Sequence, residues 1–323
     1  MNFILCEMTY LRYYIPLIIE GNRRGVSSKV YVTWNWSNKY NSPDKNKKSL
    51  LELQRLHKFE IIDISEWNKN TNRLTFFVEG VGLYSGPKIT KNSKNDKFVC
   101  IAVMADYQKL YSSYVDLCDY VIFPNKIFAE EFNTLSEKNL YLGSPKYDVE
   151  LPEVQDRKRL RAVVVHPADS VFSGNISTVH KVLRDAGFEI FVKTRGKDKT
   201  PENSLKGDQY FGDESWFPHT TMELISNSDL VVCWDSGVRK EAVMLEKPIL
   251  NFNSLGSSRV FKFLHGYDYC VDFDKNENNQ QKILEGVLNL IENNFSETYS
   301  LVKNKYLWKH NASKKILDYF LEI

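Results

Sequence analysis

Ser228-Asp-Leu-Val-Val-Cys-Trp-Asp-Ser-Gly-Val-Arg-Lys-Glu-Ala-Val-Met-Leu-Glu-Lys-Pro-Ile-Leu250 carries the pattern that decides the fold. An acidic turn at Ser228 and Asp229 precedes a continuous apolar run, Leu230 to Trp234, as expected of a strand buried on both faces. Asp235, Ser236 and Gly237 break the run. Arg239 to Leu245 changes to a helical period, and Pro248 to Asn251 returns to a strand. Strand, short polar loop, helix and second strand make the β-α-β unit of a parallel sheet.

The same rhythm extends to both sides. Upstream lie strand Ala162 to Val165, helix Ile176 to Ala186, strand Glu189 to Lys193 and helix Thr221 to Ser226. Strand Tyr269 to Asp272 and helix Gln280 to Glu292 follow, and Glu297 to Leu321 reads as an aromatic-rich helical tail packing back on the N-terminal domain. The first half repeats the pattern: strand Asn2 to Met8, helix Leu11 to Gly25, strand Lys29 to Trp34, a polar loop Ser37 to Lys48, helix Ser49 to His57, strands Glu60 to Ile64, Thr75 to Val78 and Phe98 to Met104, helix Tyr107 to Leu117, and strand Tyr120 to Phe123. Leu142-Gly-Ser-Pro-Lys-Tyr-Asp148, with the charged stretch to Arg161, divides the two series, because Gly and Pro break structure and the composition turns polar. The expected domains are 1–150 and 151–323.

A length of 323 residues suits two domains of this size, and 42% hydrophobic residues with 13% aromatics fill two cores. The 43 Lys and Arg nearly balance 41 Asp and Glu, so the field of a dedicated nucleic-acid binder is missing. A small anion needs only a few local cations. The five cysteines are scattered, with no C-x-x-C pair, and are expected to be buried free thiols. No basic segment leads into an apolar one at the N-terminus, and no 18-residue apolar stretch occurs, so the expected location is the cytoplasm, with at most peripheral membrane association.

Three segments together resemble glycosyltransferase-B proteins, in particular UDP-N-acetylglucosamine 2-epimerases and the related glycerophosphate and capsule-sugar transferases. They are the Ser228–Leu250 stretch, similar to a donor-binding segment, the Gly-x-Pro-x-x-Asp junction Gly143 to Asp148, and Val165-His-Pro167. The resemblance covers about the last half of the chain plus the junction. It implies an α/β fold of two Rossmann-like domains whose parallel sheets face a cleft holding a nucleotide sugar. Val78-Glu-Gly-Val-Gly82 is distantly similar to the His-Val-Glu-Ala-Gly of the epimerases. Here Phe77 replaces the leading histidine, the following arginine is missing, and Met8-Thr-Tyr-Leu-Arg12 stands where an epimerase has a Gly-x-Arg-Pro loop.

The donor-binding candidates are Lys193, Arg195, Asp235, Ser236, Gly237 and Glu241. The loop 235–237, opening a helix, offers free backbone N–H groups to a diphosphate, Ser236 adds a hydroxyl, and Gly237 lets a ligand approach the backbone. The plainer alternative is a capped helix. The resemblance gives Glu241 the ribose hydroxyls. Lys193 and Arg195 follow a buried strand, where a cation meets the crevice and an arginine can grip phosphate bidentately. His166, fixed in a strand-to-loop turn, is a candidate to contact a phosphate or act as an acid toward it.

The acid/base candidates of the first domain are Glu79 and Asp106, each following a strand, with Asp116 and Asp119 less favoured. Asp106 also fits a helix N-cap. Tyr10, Tyr13 and Tyr14 fit either an acceptor-side aromatic surface or plain packing. No Asp-x-Asp pair follows a strand in this domain, so no metal and no cofactor is expected beyond the nucleotide sugar as co-substrate. The function expected is an inverting, metal-independent glycosyltransferase of polysaccharide or glycoconjugate synthesis. Its donor is a UDP-, GDP-, CDP- or CMP-linked sugar, its acceptor a glycan, and nucleic acid is not a partner. The alternatives are a UDP-N-acetylglucosamine 2-epimerase and a non-catalytic binding protein of the same fold.

Overall fold

The apolar runs form two separate parallel sheets. The structure, a computed structural model, describes the chain except residues 35–42, 70–72, 79–90, 92, 103–116, 132, 155, 168–173, 195–207, 213, 235, 254–263, 308–310 and 322–323. Two compact units result, residues 1–149 with 304–323 and residues 150–303.

In the first unit, β1 (Asn2–Leu5), β2 (Lys29–Val32), β3 (Glu60–Asp63), β4 (Leu74–Val78), β5 (Lys97–Ile101), β6 (Tyr120–Phe123) and β7 (Asn139–Tyr141) pair in the order 3-2-1-4-5-6-7. Every pairing is parallel. The chain winds outward from β1 to β3, then restarts beside β1 with β4. Tyr14, from helix Leu11–Arg23, bridges that restart: its hydroxyl donates to Ile4 O at 2.7 Å and accepts from Val78 N at 3.1 Å. Tyr13 and Tyr14 are both buried, so packing is their role. Helix Ala312–Leu321 belongs to this unit and sets Phe320 against Phe76 and Tyr120, while Asp318 pairs with Arg24 at 2.6 Å.

In the second unit, β8 (Arg161–Val165), β9 (Glu189–Lys193), β10 (Gln209–Phe211), β11 (Leu230–Trp234), β12 (Ile249–Asn253) and β13 (Cys270–Asp274) take the order 10-9-8-11-12-13. These pairings are parallel too. All five residues of β11 are buried, which explains its unbroken apolar run. Helix Ile176–Asp185 stops where Gly187 takes φ +85°, a left-handed value that glycine adopts without a Cβ penalty. All five cysteines are free and buried.

Some elements differ from expectation. Residues 43–48, expected in a loop, begin a helix that runs Pro43–His57, with proline pre-set for the first turn. β7, β10 and a helix at Lys126–Glu131 were not expected. β1 ends at Leu5, short of Met8, because Met8–Tyr10 turns into a 3-10 helix. The tail divides into helix Ser296–Val302, a π turn Lys303–Leu307 and the final helix. The helix expected at Tyr107 to Leu117 falls almost wholly outside the described residues.

Candidate functional site

In an open parallel sheet, ligands bind beyond the carboxyl ends of the strands, at the point where the strand order reverses. In the second unit that point lies between β8 and β11. Val165 pairs with Cys233, so the chain leaves β8 at His166 on one side of the reversal and leaves β11 toward Ser236 and Gly237 on the other. Lys193 ends the next strand, and its carbonyl accepts the backbone N–H of His166 at 3.2 Å.

Ser236 and Gly237 open helix Val238–Met244. Ser236 Oγ accepts the N–H of Val238 at 3.3 Å. Gly237 has φ −60° and ψ −15°, a conformation open to every residue, so the backbone itself does not demand glycine there. What glycine adds is the missing Cβ. Glu241 lies in the first turn and is buried. Lys193 is also buried, and its Nζ donates to the carbonyl of Thr194 at 2.6 Å. Glu79, Asp106, Arg195 and Asp235 lie outside the described residues.

Two hydrogen-bonded networks, one half-buried and one buried, stand behind these positions, and sequence reasoning missed both. Arg239, wholly buried, donates from Nε to the carbonyl of Ser236 at 3.3 Å and from a terminal nitrogen to His265 Nε2 at 2.8 Å. His265 Nδ1 lies 3.2 Å from Asp272, which also accepts from Asn251 and Asn253 at 2.7 and 3.0 Å. Burial pushes the Asp272 carboxyl up, but the His265 and Asn251 hydrogen bonds outweigh it and hold the group below its ordinary value. The ionised carboxylate thereby anchors the turn through His265 and Arg239.

The second network begins at His166. Its Nε2 lies 3.4 Å from Nε2 of His180, whose Nδ1 lies 2.6 Å from Asp208 Oδ2. Arg184 donates to the other oxygen of Asp208 at 2.7 Å. His180 is completely buried and His166 is 7% exposed. Burial, with His180 nearby, pushes the His166 ring down to about 4, so it is neutral at pH 7. No spacing in the sequence marks this set, since the fold alone brings Asp208 to His180.

An open cavity of about 800 Å³ is lined by Arg157, Arg184, Glu189 and Asp208 among others, at the amino ends of β9 and β10. Sheet geometry favours the carboxyl ends over this cavity as the ligand site. Among the described residues, no group of three or more His, Cys, Asp or Glu side chains is placed to hold a metal ion. No described helix is long and apolar enough to cross a membrane.

Two all-parallel units with these strand orders define the glycosyltransferase-B fold, and solved structures bear this out along the whole chain. A UDP-N-acetylglucosamine 2-epimerase from Neisseria meningitidis, bound to UDP-N-acetylglucosamine, matches with TM-score 0.63 at 14% identity, over 100% of this chain and 99% of its own. The structure of a putative UDP-N-acetylglucosamine 2-epimerase from Listeria monocytogenes gives 0.64 at 12% identity, over 100% and 96%. A variant of the wall teichoic acid polymerase TagF, soaked with CDPG, gives 0.61 at 11% identity, over 99% and 87%. No family model matches the sequence, and no curated protein does.

Proposed function

We propose that this protein is a nucleotide-sugar-dependent glycosyltransferase that transfers its sugar, with inversion and without a metal ion, to a glycan or glycoconjugate acceptor in the cytoplasm. The observation that carries the reading is the strand reversal between β8 and β11, flanked by His166 and by the Ser236–Gly237 turn. The diphosphate sits against the loop 235–237, the ribose meets Glu241, and Lys193 and Arg195 balance the phosphate charge. Glu79 or Asp106 takes the acceptor proton. The solved structures of this fold that hold UDP-N-acetylglucosamine or CDPG support a nucleotide derivative as the ligand class.

A 2-epimerase is the second reading, favoured by the two epimerases among those structures. The missing epimerase-like residues around Phe77 and Met8 to Arg12 weigh against it. A thermal-shift panel of UDP, GDP, CDP and CMP sugars identifies the nucleotide, because a ligand that binds only the folded state raises its stability. With that nucleotide sugar, a transferase hydrolyses the donor slowly when no acceptor is present. An epimerase interconverts free UDP-sugars, and a binding protein is stabilised without turnover.

A further inference from the structure

The proton positions of the His166 network follow from its one carboxylate. Asp208, whose side chain is 1% exposed, accepts Arg184 at Oδ1 and so offers Oδ2 to His180. His180 must then carry its proton on Nδ1, because a bare nitrogen 2.6 Å from a carboxylate oxygen would set two lone pairs against each other. Burial holds His180 below its ordinary value, against the pull of Asp208. A neutral His180 protonated at Nδ1 has a bare Nε2. The contact with His166 Nε2 at 3.4 Å, long for a hydrogen bond, then takes its proton from His166. His166 is left with a lone pair on Nδ1. Tyr210, edge-on to the ring with centroids 6.2 Å apart, packs against it.

We propose that His180 and Asp208 are positioning residues that fix His166 as the neutral imidazole protonated at Nε2. The β8 end of the strand reversal then presents a hydrogen-bond acceptor, suited to a hydroxyl or N–H of the ligand and not to a phosphate. This rests on the proposed nucleotide-sugar reading only for the ligand that His166 meets. The relay is a property of the free protein. It has the logic of a histidine whose outer nitrogen is set by what its inner nitrogen bonds.

Long-range proton–nitrogen NMR spectra of protein labelled with ¹⁵N-histidine test it, with the signals assigned by His166→Asn and His180→Gln. At pH 7 the expected result is His166 protonated at Nε2 alone and His180 at Nδ1 alone. Asp208→Asn, checked for folding by circular dichroism, should mix the tautomers of both rings. Addition of UDP to saturation should leave His166 neutral. The proposal is overturned by a His166 protonated at Nδ1, by an imidazolium with or without UDP, or by a folded Asp208→Asn with unchanged tautomers. If Asp208→Asn does not fold, the spectrum of the unaltered protein decides alone. A protein with the expected tautomers that does not bind UDP keeps the relay and counts against a uridine donor.

Discussion

Asp148 Oδ2 accepts the backbone N–H of Ser313 at 2.5 Å, and Oδ1 accepts that of Ala312 at 3.3 Å. Asp148 ends the Gly-x-Pro-x-x-Asp junction, and these two N–H groups open helix Ala312–Leu321. A carboxylate far back in the chain thus accepts two of the N–H groups that a helix start leaves without intrahelical partners, at the end where a negative charge is favoured.

Asp148→Ala should therefore loosen that helix by about 1 kcal/mol, the ordinary value of a side-chain cap. Hydrogen exchange of the amides in residues 312–321 should quicken by about fivefold. Asp148→Asn should stay close to the unaltered protein, because asparagine caps about as well as aspartate. Unchanged exchange in Asp148→Ala would show that the contact contributes nothing.

His166 makes the second unit sensitive to acid. Its folded value is pushed down from 6.5 to about 4, so between those values the unfolded chain binds the proton that the folded one refuses. Stability from this group is full above pH 6.5 and is lost as pH falls toward 4, by roughly 3 kcal/mol at 1.36 kcal/mol per unit. His180 is shifted in the same direction. Urea unfolding at pH 7 and pH 4.5 should show a smaller loss for His166→Asn than for the unaltered protein. Equal losses would contradict a neutral, buried His166.

Much of the fold was readable in the sequence wherever a strand is mostly buried. Tyr120–Phe123, Glu189–Lys193 and Leu230–Trp234 were placed to the residue, because each has an apolar centre set off by polar residues or turns. β7 and β10, with three residues each, are too short to show a period. The first two turns of helix Pro43–His57 hold Asp, Lys and Asn, which read as a loop until packing of Asn46, Leu50 and Leu53 orders them. The places of His166, Ser236 and Gly237 just beyond β8 and β11 were readable because each follows a buried apolar run. Arg239 with His265 and Asp272, and His180 with Asp208, were not, since those pairs exist only once the sheet has assembled.

The catalytic base is expected from the first unit. If Glu79 or Asp106 takes the acceptor proton, the Gln or Asn substitution at the right position should lower turnover by about 10²-fold or more and leave nucleotide affinity nearly intact. Steady-state rates and binding measured on the same two variants test this. Unchanged turnover in both would remove the carboxylates from the chemistry.

In the proposed function the nucleotide diphosphate rests on the loop after β11. Isothermal titration calorimetry with the cognate nucleotide tests it most directly, on Gly237→Val, Glu241→Ala, Lys193→Ala and Arg195→Ala. A valine side chain at 237 fills the space through which phosphates approach the backbone, so binding should be lost, while Glu241→Ala should weaken it by about 1 to 3 kcal/mol. The two cation variants should bind more weakly at low salt and differ less from the unaltered protein at high salt, because the missing interaction is charge against charge. Unaltered affinity in Gly237→Val and Glu241→Ala would contradict the claim: the turn would be a helix start only, and the donor would bind elsewhere.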